Sequence, residues 1–219
     1  MQNHNYKKGV PILITVWRRN DKLLRLLDSL REHKPKKIYV SCDGPRTNFP
    51  NDYYEVQQVR NTLANYIDWD SSIYRLFSDK NLGCRKAMSK AISWFFTNEE
   101  EGIILEEDCI LHTEFIPYCS ELLEKYRNDQ KIWNICGTNF QKGRKRGLES
   151  YYFSKYFHCW GWATWRDRWL KYDNDLKNWP KLKKTNLLED IFIDLNERKY
   201  WSDLYDKLYY QQKPNSWAY

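Results

Sequence analysis

The chain has 219 residues, enough for one sizeable core and short for two, so a single domain is expected. Its 36 basic residues outnumber 29 acidic ones, for a net charge of +7, which favours an anionic partner: nucleic acid, a phosphorylated small molecule or an anionic membrane surface. No apolar run approaches the roughly 20 residues needed to cross a bilayer, and the N-terminal MQNHNYKKGV has no signal-peptide core, which points to a cytoplasmic protein or catalytic domain.

The near-continuous apolar run Val10 to Val16 reads as a strand covered on both faces. Asn20 and Asp21 can cap a helix in which Leu23, Leu24, Leu26, Leu27 and Leu30 recur at helical spacing, and Pro35 closes it. Lys37 to Cys42 is a second strand. Strand, helix and strand joined this tightly make a βαβ unit and predict a parallel sheet. Directly after it, Asp43-Gly44-Pro45-Arg46 is a turn. Asp43 needs only to form that turn, yet a carboxylate at the carboxyl end of a parallel strand also sits where open α/β sheets bind ligands.

A polar helix over Asp52 to Tyr66 and a third strand over Ile73 to Phe77 follow. Next, Asn81-Leu82-Gly83-Cys84-Arg85-Lys86-Ala87 leads into Met88, Ala91, Ile92 and Phe95 at helical spacing. Cations in a first helical turn oppose the macrodipole. They suit a bound phosphate, and they also suit an ordinary basic surface.

The run GIILEEDCIL, Gly102 to Leu111, is the most chemically suggestive stretch. Ile103, Ile104 and Leu105 are too few for a helix and read as a short buried strand. Glu106, Glu107 and Asp108 then gather like charges at its carboxyl end, which is costly unless a cation neutralises them, although a solvated acidic turn would look the same. Thr113 and Glu114 open a capped helix carrying Phe115, Tyr118, Leu122 and Leu123, and Ile132 to Cys136 is a short strand. The basic, glycine-flanked loop from Gln141 to Gly147 reads as a mobile solvated hairpin or as a lid over phosphates.

The second half turns aromatic, with HCWGWATWRDRW from His158 to Trp169, in a chain holding 11 Trp and 17 Tyr. Such density suits a deep core or a surface that stacks on rings, sugars or bases. Helix-like stretches around Leu187, Leu188, Ile191 and Leu195, and then Tyr200, Leu204 and Leu208, lead to Ser216-Trp217-Ala218-Tyr219. The six cysteines form no CxxC pair and no zinc spacing, so buried reduced thiols are expected. No GxGxxG or GxxxxGK[ST] follows a strand, which disfavours dinucleotide and P-loop enzymes.

Taken in order, ITVWRRNDKLLRLLDSL, SCDGPR, NLGCRKAMSKAI, ILEEDCIL and HCWGWATW make the chain resemble nucleotide-sugar glycosyltransferases of the A-type fold, in the family-2-like group. The likeness is to bacterial hemolytic-protein-like sugar transferases and, more distantly, to the Golgi N-acetylglucosaminyltransferase that starts complex N-glycans. It implies an α/β fold with a mostly parallel mixed sheet flanked by helices. Residues 1–112 would form the nucleotide-sugar half and 113–219 an acceptor half that looks truncated. The implied activity is transfer of a sugar from a nucleoside diphosphate sugar, a UDP-sugar foremost, to a glycan or lipid-linked acceptor, with inversion.

The resemblance also assigns roles. Thr15 and Arg18 would line the nucleotide pocket, Asp43 would contact the base and Arg85 would lie near the diphosphate. Asp108 would ligate Mn²⁺ or Mg²⁺, with Glu106 and Glu107 touching sugar or ribose. Trp160, Gly161 and Trp162 would floor the donor-sugar and acceptor site. Ala218 stands where an acceptor-activating Asp is expected, which leaves Glu189 or Asp190 as the general base. The resemblance is compatible with peripheral association at the inner face of a membrane. Two other functions fit the same chain: an impaired nucleotide-sugar or glycan-binding module, and a nucleic-acid-binding domain. The acids at the strand ends, where a polyanion would have to lie, argue against the last.

Overall fold

A computed structural model describes residues 9–145 and 147–218. Six strands form one mixed sheet in the order β3-β2-β1-β4-β6-β5. β1 (Ile12–Val16), β2 (Lys37–Cys42), β3 (Ser72–Phe77) and β4 (Glu101–Glu106) run parallel, whereas β6 (Trp162–Trp165) pairs antiparallel with β4 and with the two-residue β5 (Ile135–Cys136). This is the mostly parallel mixed sheet flanked by helices that the sequence led us to expect.

The strand period of two sorts the core into two clusters. Ile12, Ile14, Ile38, Val40, Ile103 and Leu105 face one side, where α1 (Asn20–Arg31), α2 (Pro50–Asn65) and α4 (Phe115–Lys125) pack. Leu13, Tyr39, Ile104 and Trp162 face the other, against α3 (Cys84–Asn98) and the short α5 (Arg166–Trp169). β1 is buried at every position because it lies between β2 and β4 and under helices on both faces. The C-terminal stretch continues through α6 (Trp179–Leu182), α7 (Leu187–Ile191) and α8 (Leu195–Gln211).

Several local expectations change. Arg19, not Asn20 or Asp21, occupies the cap position of α1 and makes no side-chain cap bond. The Asn20 side chain instead accepts a hydrogen bond from Thr62 Oγ1 at 2.7 Å, tying α1 to α2. Thr113 does not cap α4; its neighbour Glu114 holds the cap position, and its amide donates to His112 Nδ1 at 3.3 Å. Of the expected strand 132–136 only Ile135 and Cys136 pair. The aromatic stretch at 162–165, in contrast, completes the sheet. The 141–147 segment is a turn-rich loop whose Arg146 lies outside the described residues, as do residues 1–8 and Tyr219. All six cysteines are free thiols, but only Cys42 and Cys119 are buried, and Cys84 is exposed. Among the described residues no helix is long and apolar enough to cross a membrane.

Candidate functional site

The chain lays down β1, β2 and β3 in one direction and then returns to place β4 on the opposite side of β1. That reversal makes the carboxyl ends of β1 and β4 a topological switch point, the position where open α/β sheets bind ligands. Trp17, Arg18 and Arg19 leave β1 there, and Glu106, Glu107 and Asp108 leave β4 beside them. Thr15 is buried and its Oγ1 donates to the Leu105 carbonyl at 3.2 Å, which locks the two strand ends together.

Arg19 is the counter-ion of the acidic group. Its Nε lies 2.7 Å from Glu107 Oε1 and its Nη1 lies 2.9 Å from Asp108 Oδ2. Glu107 is almost fully buried, whereas the Asp108 side chain keeps 38% of its surface open to solvent. Glu106 is pushed up to about 7, first by burial and then by the charges of Asp108 and Glu107. One guanidinium against three carboxylates leaves the rim short of positive charge.

Arg18 was expected in the nucleotide pocket. In the folded chain its Nη1 donates to Asp52 at 2.8 Å and to Glu55 at 3.2 Å, and its guanidinium stacks 4.5 Å above Trp17. Arg46 holds the same buried Asp52 at 2.6 Å and stacks on Trp17 at 5.1 Å and on Phe49 at 3.6 Å. Trp17 Nε1 donates to the Gly44 carbonyl at 2.9 Å, so this ring is fixed at the rim.

The Asp43 carboxylate accepts from the amides of Gly44, Leu82 and Gly83 and from Asn81 Nδ2, at 2.8 to 3.1 Å. It therefore organises the loop that enters α3. A Cβ on Gly44 would lie 2.5 Å from the Lys80 backbone, so only glycine lets the two loops approach this closely. Gly83 caps α3 with φ +78°, a left-handed conformation that glycine adopts without strain. Asp43 holds the Gly83 amide one residue before Cys84, which places the α3 entrance on the same rim. Although Cys84 is exposed as a residue, its thiol is raised by partial desolvation and then by Glu106, Glu107 and Asp43.

Arg85 turns away from the acids. Its guanidinium is buried against Asn174, donating to that residue's backbone carbonyl and, at 3.3 Å, to its side chain, while its backbone amide meets Asn215 at 3.3 Å. A cation in this first turn is thus neutralised by carbonyl oxygens of the C-terminal segment. Lys86 and Lys90, one turn apart, border an open hollow with Ser89 and Asn174.

Trp160 and Trp162 do not share a floor. Trp162 is buried, stacked 5.6 Å from Trp217 and edge-on to Phe157 at 5.0 Å, whereas Trp160 is half exposed and meets Phe140 edge-on at 5.8 Å. Gly161 between them takes φ +69°, which turns the chain into β6. Cys159, just before this turn, is pushed up to about 12 by burial and then by Glu106, so the turn too borders the rim. Glu189 and Asp190 are exposed on α7. A trough of about 780 Å³ follows the β5 edge; Ala218 lines it, and neither Glu189, Asp190 nor any rim carboxylate does.

Among the described residues no three His, Cys, Asp or Glu side chains are arranged to hold an ion between them. A Mg²⁺-like cation does not require that, because it commonly takes one or two carboxylates and completes its shell with water and substrate phosphate. The donor chemistry at the rim fits: every acidic ligand is a hard oxygen, Asp108 is open to solvent, and the cluster is short of positive charge. Burial raises the thiols of Cys42, Cys109 and Cys159, which disfavours their thiolate forms beside it.

Arg19, the most direct partner of the acids, was not anticipated as a site residue. Its signal was the Arg18-Arg19 pair at a helix entrance, where cations oppose the macrodipole and call for an anionic partner. Trp17, Arg46 and Asp52 were missed as well, since their association depends on bringing β1, β2 and α2 together.

The fold and rim together define an α/β protein with an acidic edge at its topological switch point. No protein-family model matches the chain, and no curated protein does. Among solved structures, the apo form of WbbM, described as a bifunctional glycosyltransferase, is similar over 56% of this chain and 22% of that chain, at 15% identity and a TM-score of 0.30. The chain therefore spans under a quarter of that protein's length, and a likeness this slight says nothing of function.

Proposed function

We propose that the chain transfers a sugar from a nucleoside diphosphate sugar, with a UDP-sugar the first choice, to a glycan or lipid-linked acceptor. The observation that carries this reading is the gathering of Glu106, Glu107 and Asp108 around Arg19 at the carboxyl ends of β4 and β1. Asp108, open to solvent, with Glu106 beside it, would hold Mn²⁺ or Mg²⁺. When bound, such a cation offsets the negative charge that builds on the departing diphosphate.

The chain's own residues supply the rest. Arg19 lets Glu107 and Asp108 sit together before a donor arrives and keeps Glu107 fixed for a sugar or ribose hydroxyl. Asp43 sets the Leu82–Gly83 amides as the wall of the nucleotide crevice, and Trp17, pinned by Gly44, presents a ring at its mouth. Thr15 ties the two strand ends, so the crevice is preorganised. Glu189 or Asp190 would take the acceptor proton.

Isothermal titration with UDP, with and without Mn²⁺, tests the proposal. The expected result is tighter binding with the metal and loss of that gain in Asp108→Ala. Equal heats in all arms overturn it. A second reading, a module that binds the donor without turnover, is favoured by the exposure of Glu189 and Asp190 on a helix that does not line the β5-edge trough. UDP release from the donor separates the two, since the module would bind and never hydrolyse.

A further inference from the structure

The segment 150–158 is fastened to α4 by an arrangement that none of the steps above uses. Tyr151 Oη accepts a hydrogen bond from Lys125 Nζ at 2.6 Å and shares a second one, also 2.6 Å long, with Tyr126 Oη. The Lys125 ammonium lies 5.2 Å from the centre of the Tyr151 ring and 5.3 Å from that of Tyr126. Phe153 meets both tyrosine rings edge-on at 5.9 Å, and Tyr151 packs against the core, so its phenol is held in one orientation.

The charges around this phenol favour its ionised form. Lys125 closes the last turn of α4, where the carbonyl end of the helix favours a cation, and the nearby carboxylates of Glu101 and Glu124 are taken by Arg127. The Lys125 amine is raised, first by its bond to Tyr151, so it stays an ammonium. An opposite charge this close stabilises a phenolate, and hydrogen bonds to an ionised oxygen are the short, strong ones. Tyr151 is accordingly lowered, first by the Lys125 bond and then by the Tyr126 bond, while burial and the charge of Glu149 oppose this. The phenols of Tyr39, Tyr66, Tyr118, Tyr126, Tyr172 and Tyr205 are all raised. The oxygen is also within reach of a ligand, because Tyr151 lines the 780 Å³ trough and is only partly buried.

We propose that Tyr151 is an activated nucleophile, a site of covalent O-modification by small acyl or sulfonyl electrophiles, with Lys125 and Tyr126 holding its phenolate. In that step the phenolate oxygen forms a bond to the electrophilic carbon or sulfur and the bond to the leaving group breaks. The leaving group departs with its electron pair, and the phenol proton passes to solvent. Nothing is oxidised or reduced. Lys125 does not compete for the electrophile, because an ammonium has no lone pair. A contact that merely tied the 150–158 segment to α4 would give Tyr151 no kinetic advantage over other phenols. No rim residue enters this inference, so it stands apart from the transferase reading.

The test treats the full chain with an aryl sulfonyl fluoride, which loses fluoride on attack, and times the labelling of each tyrosine by mass spectrometry. At mildly alkaline pH, Tyr151 should be labelled several-fold faster than Tyr54 and Tyr210, although both of those are far more exposed, and its labelling should set in at lower pH than theirs. Lys125→Met, at an exposed position, should bring the Tyr151 rate down to that of Tyr54 and move its onset to higher pH. Tyr126→Phe should slow it less. The Tyr54 rate and the urea midpoint report that probe and fold are unchanged in each variant. Tyr151 left unlabelled, Tyr54 labelled as fast as Tyr151, or a Tyr151 rate untouched by both variants each overturns the proposal. Labelling needs neither nucleotide nor metal, so failure here and failure of the UDP titration are told apart.

Discussion

The rim and the trough solve opposite problems with the same sheet. At the rim, three acids consecutive in sequence meet one guanidinium, and the ion pairs leave Asp108 facing water. Along the β5 edge, rings from α4, β6 and the 150–158 segment line a mostly apolar space. Charge at the rim is crowded and only partly offset by Arg19, whereas polarity along the β5 edge is sparse. A substitution at the rim should therefore change binding more than stability, and a substitution in the trough's floor should do the reverse.

The largest expected effect probes the trough. Trp162→Ala empties a site packed against Trp217, Phe157 and Trp169, and should cost about 3–5 kcal/mol in urea unfolding. Trp160→Ala, half exposed two residues away, should stay within about 0.5 kcal/mol. Equal costs would erase the inside-outside distinction between the two tryptophans. Next comes Gly44→Ala, whose new Cβ would press on the Lys80 backbone; about 1–3 kcal/mol is expected, read as a lower unfolding midpoint.

Arg19→Ala leaves the buried Glu107 without its guanidinium. Half of Arg19 is in solvent, so the loss should be only about 1 kcal/mol, but UDP titration should change far more than stability does. If stability collapses and binding survives, the rim is a structural clasp. Asp108→Ala sits at the small end, within about 0.5 kcal/mol by denaturation, because its pair is exposed.

One further effect is confined to acid. Asp52 is lowered from 3.8 to about 2, chiefly by its hydrogen bond to Arg46. A carboxyl depressed in the folded state stabilises fully above its unfolded value near 3.8, and that contribution is lost as pH falls towards 2. Unfolding followed between pH 5 and 2 should show a component that Asp52→Asn removes; an unchanged profile would mean that Arg18 and Arg46 do not hold it.

Much of the rim was legible because its parts are local. Ile103, Ile104 and Leu105 announce a buried strand, and the acids follow it directly, so their place at a sheet edge comes from a stretch of six residues. The β2 boundaries, Lys37 to Cys42, were equally plain from the apolar run between Pro35 and the Asp43-Gly44 turn. Arg85 was read as an oxygen-seeking cation in a first helical turn, and residue order could not show that Asn174, 89 residues away, supplies such an oxygen in the fold. The family resemblance put Trp160 and Trp162 on one floor; in the fold Gly161 at φ +69° lies between them, and Trp162 is buried against Trp217 while Trp160 is half exposed beside Phe140.

By itself, the sequence determined the alternation of strands and helices, the parallel first half of the sheet and the acidic end of β4, since each rests on periodicity or on neighbours along the chain. Only the tertiary structure decided that Arg19 is the acids' counter-ion, that 162–165 becomes a strand beside β4, and that rings scattered over a hundred residues enclose one trough. Those outcomes depend on distances between segments that meet only when the sheet assembles, and residue order carries no measure of such distances.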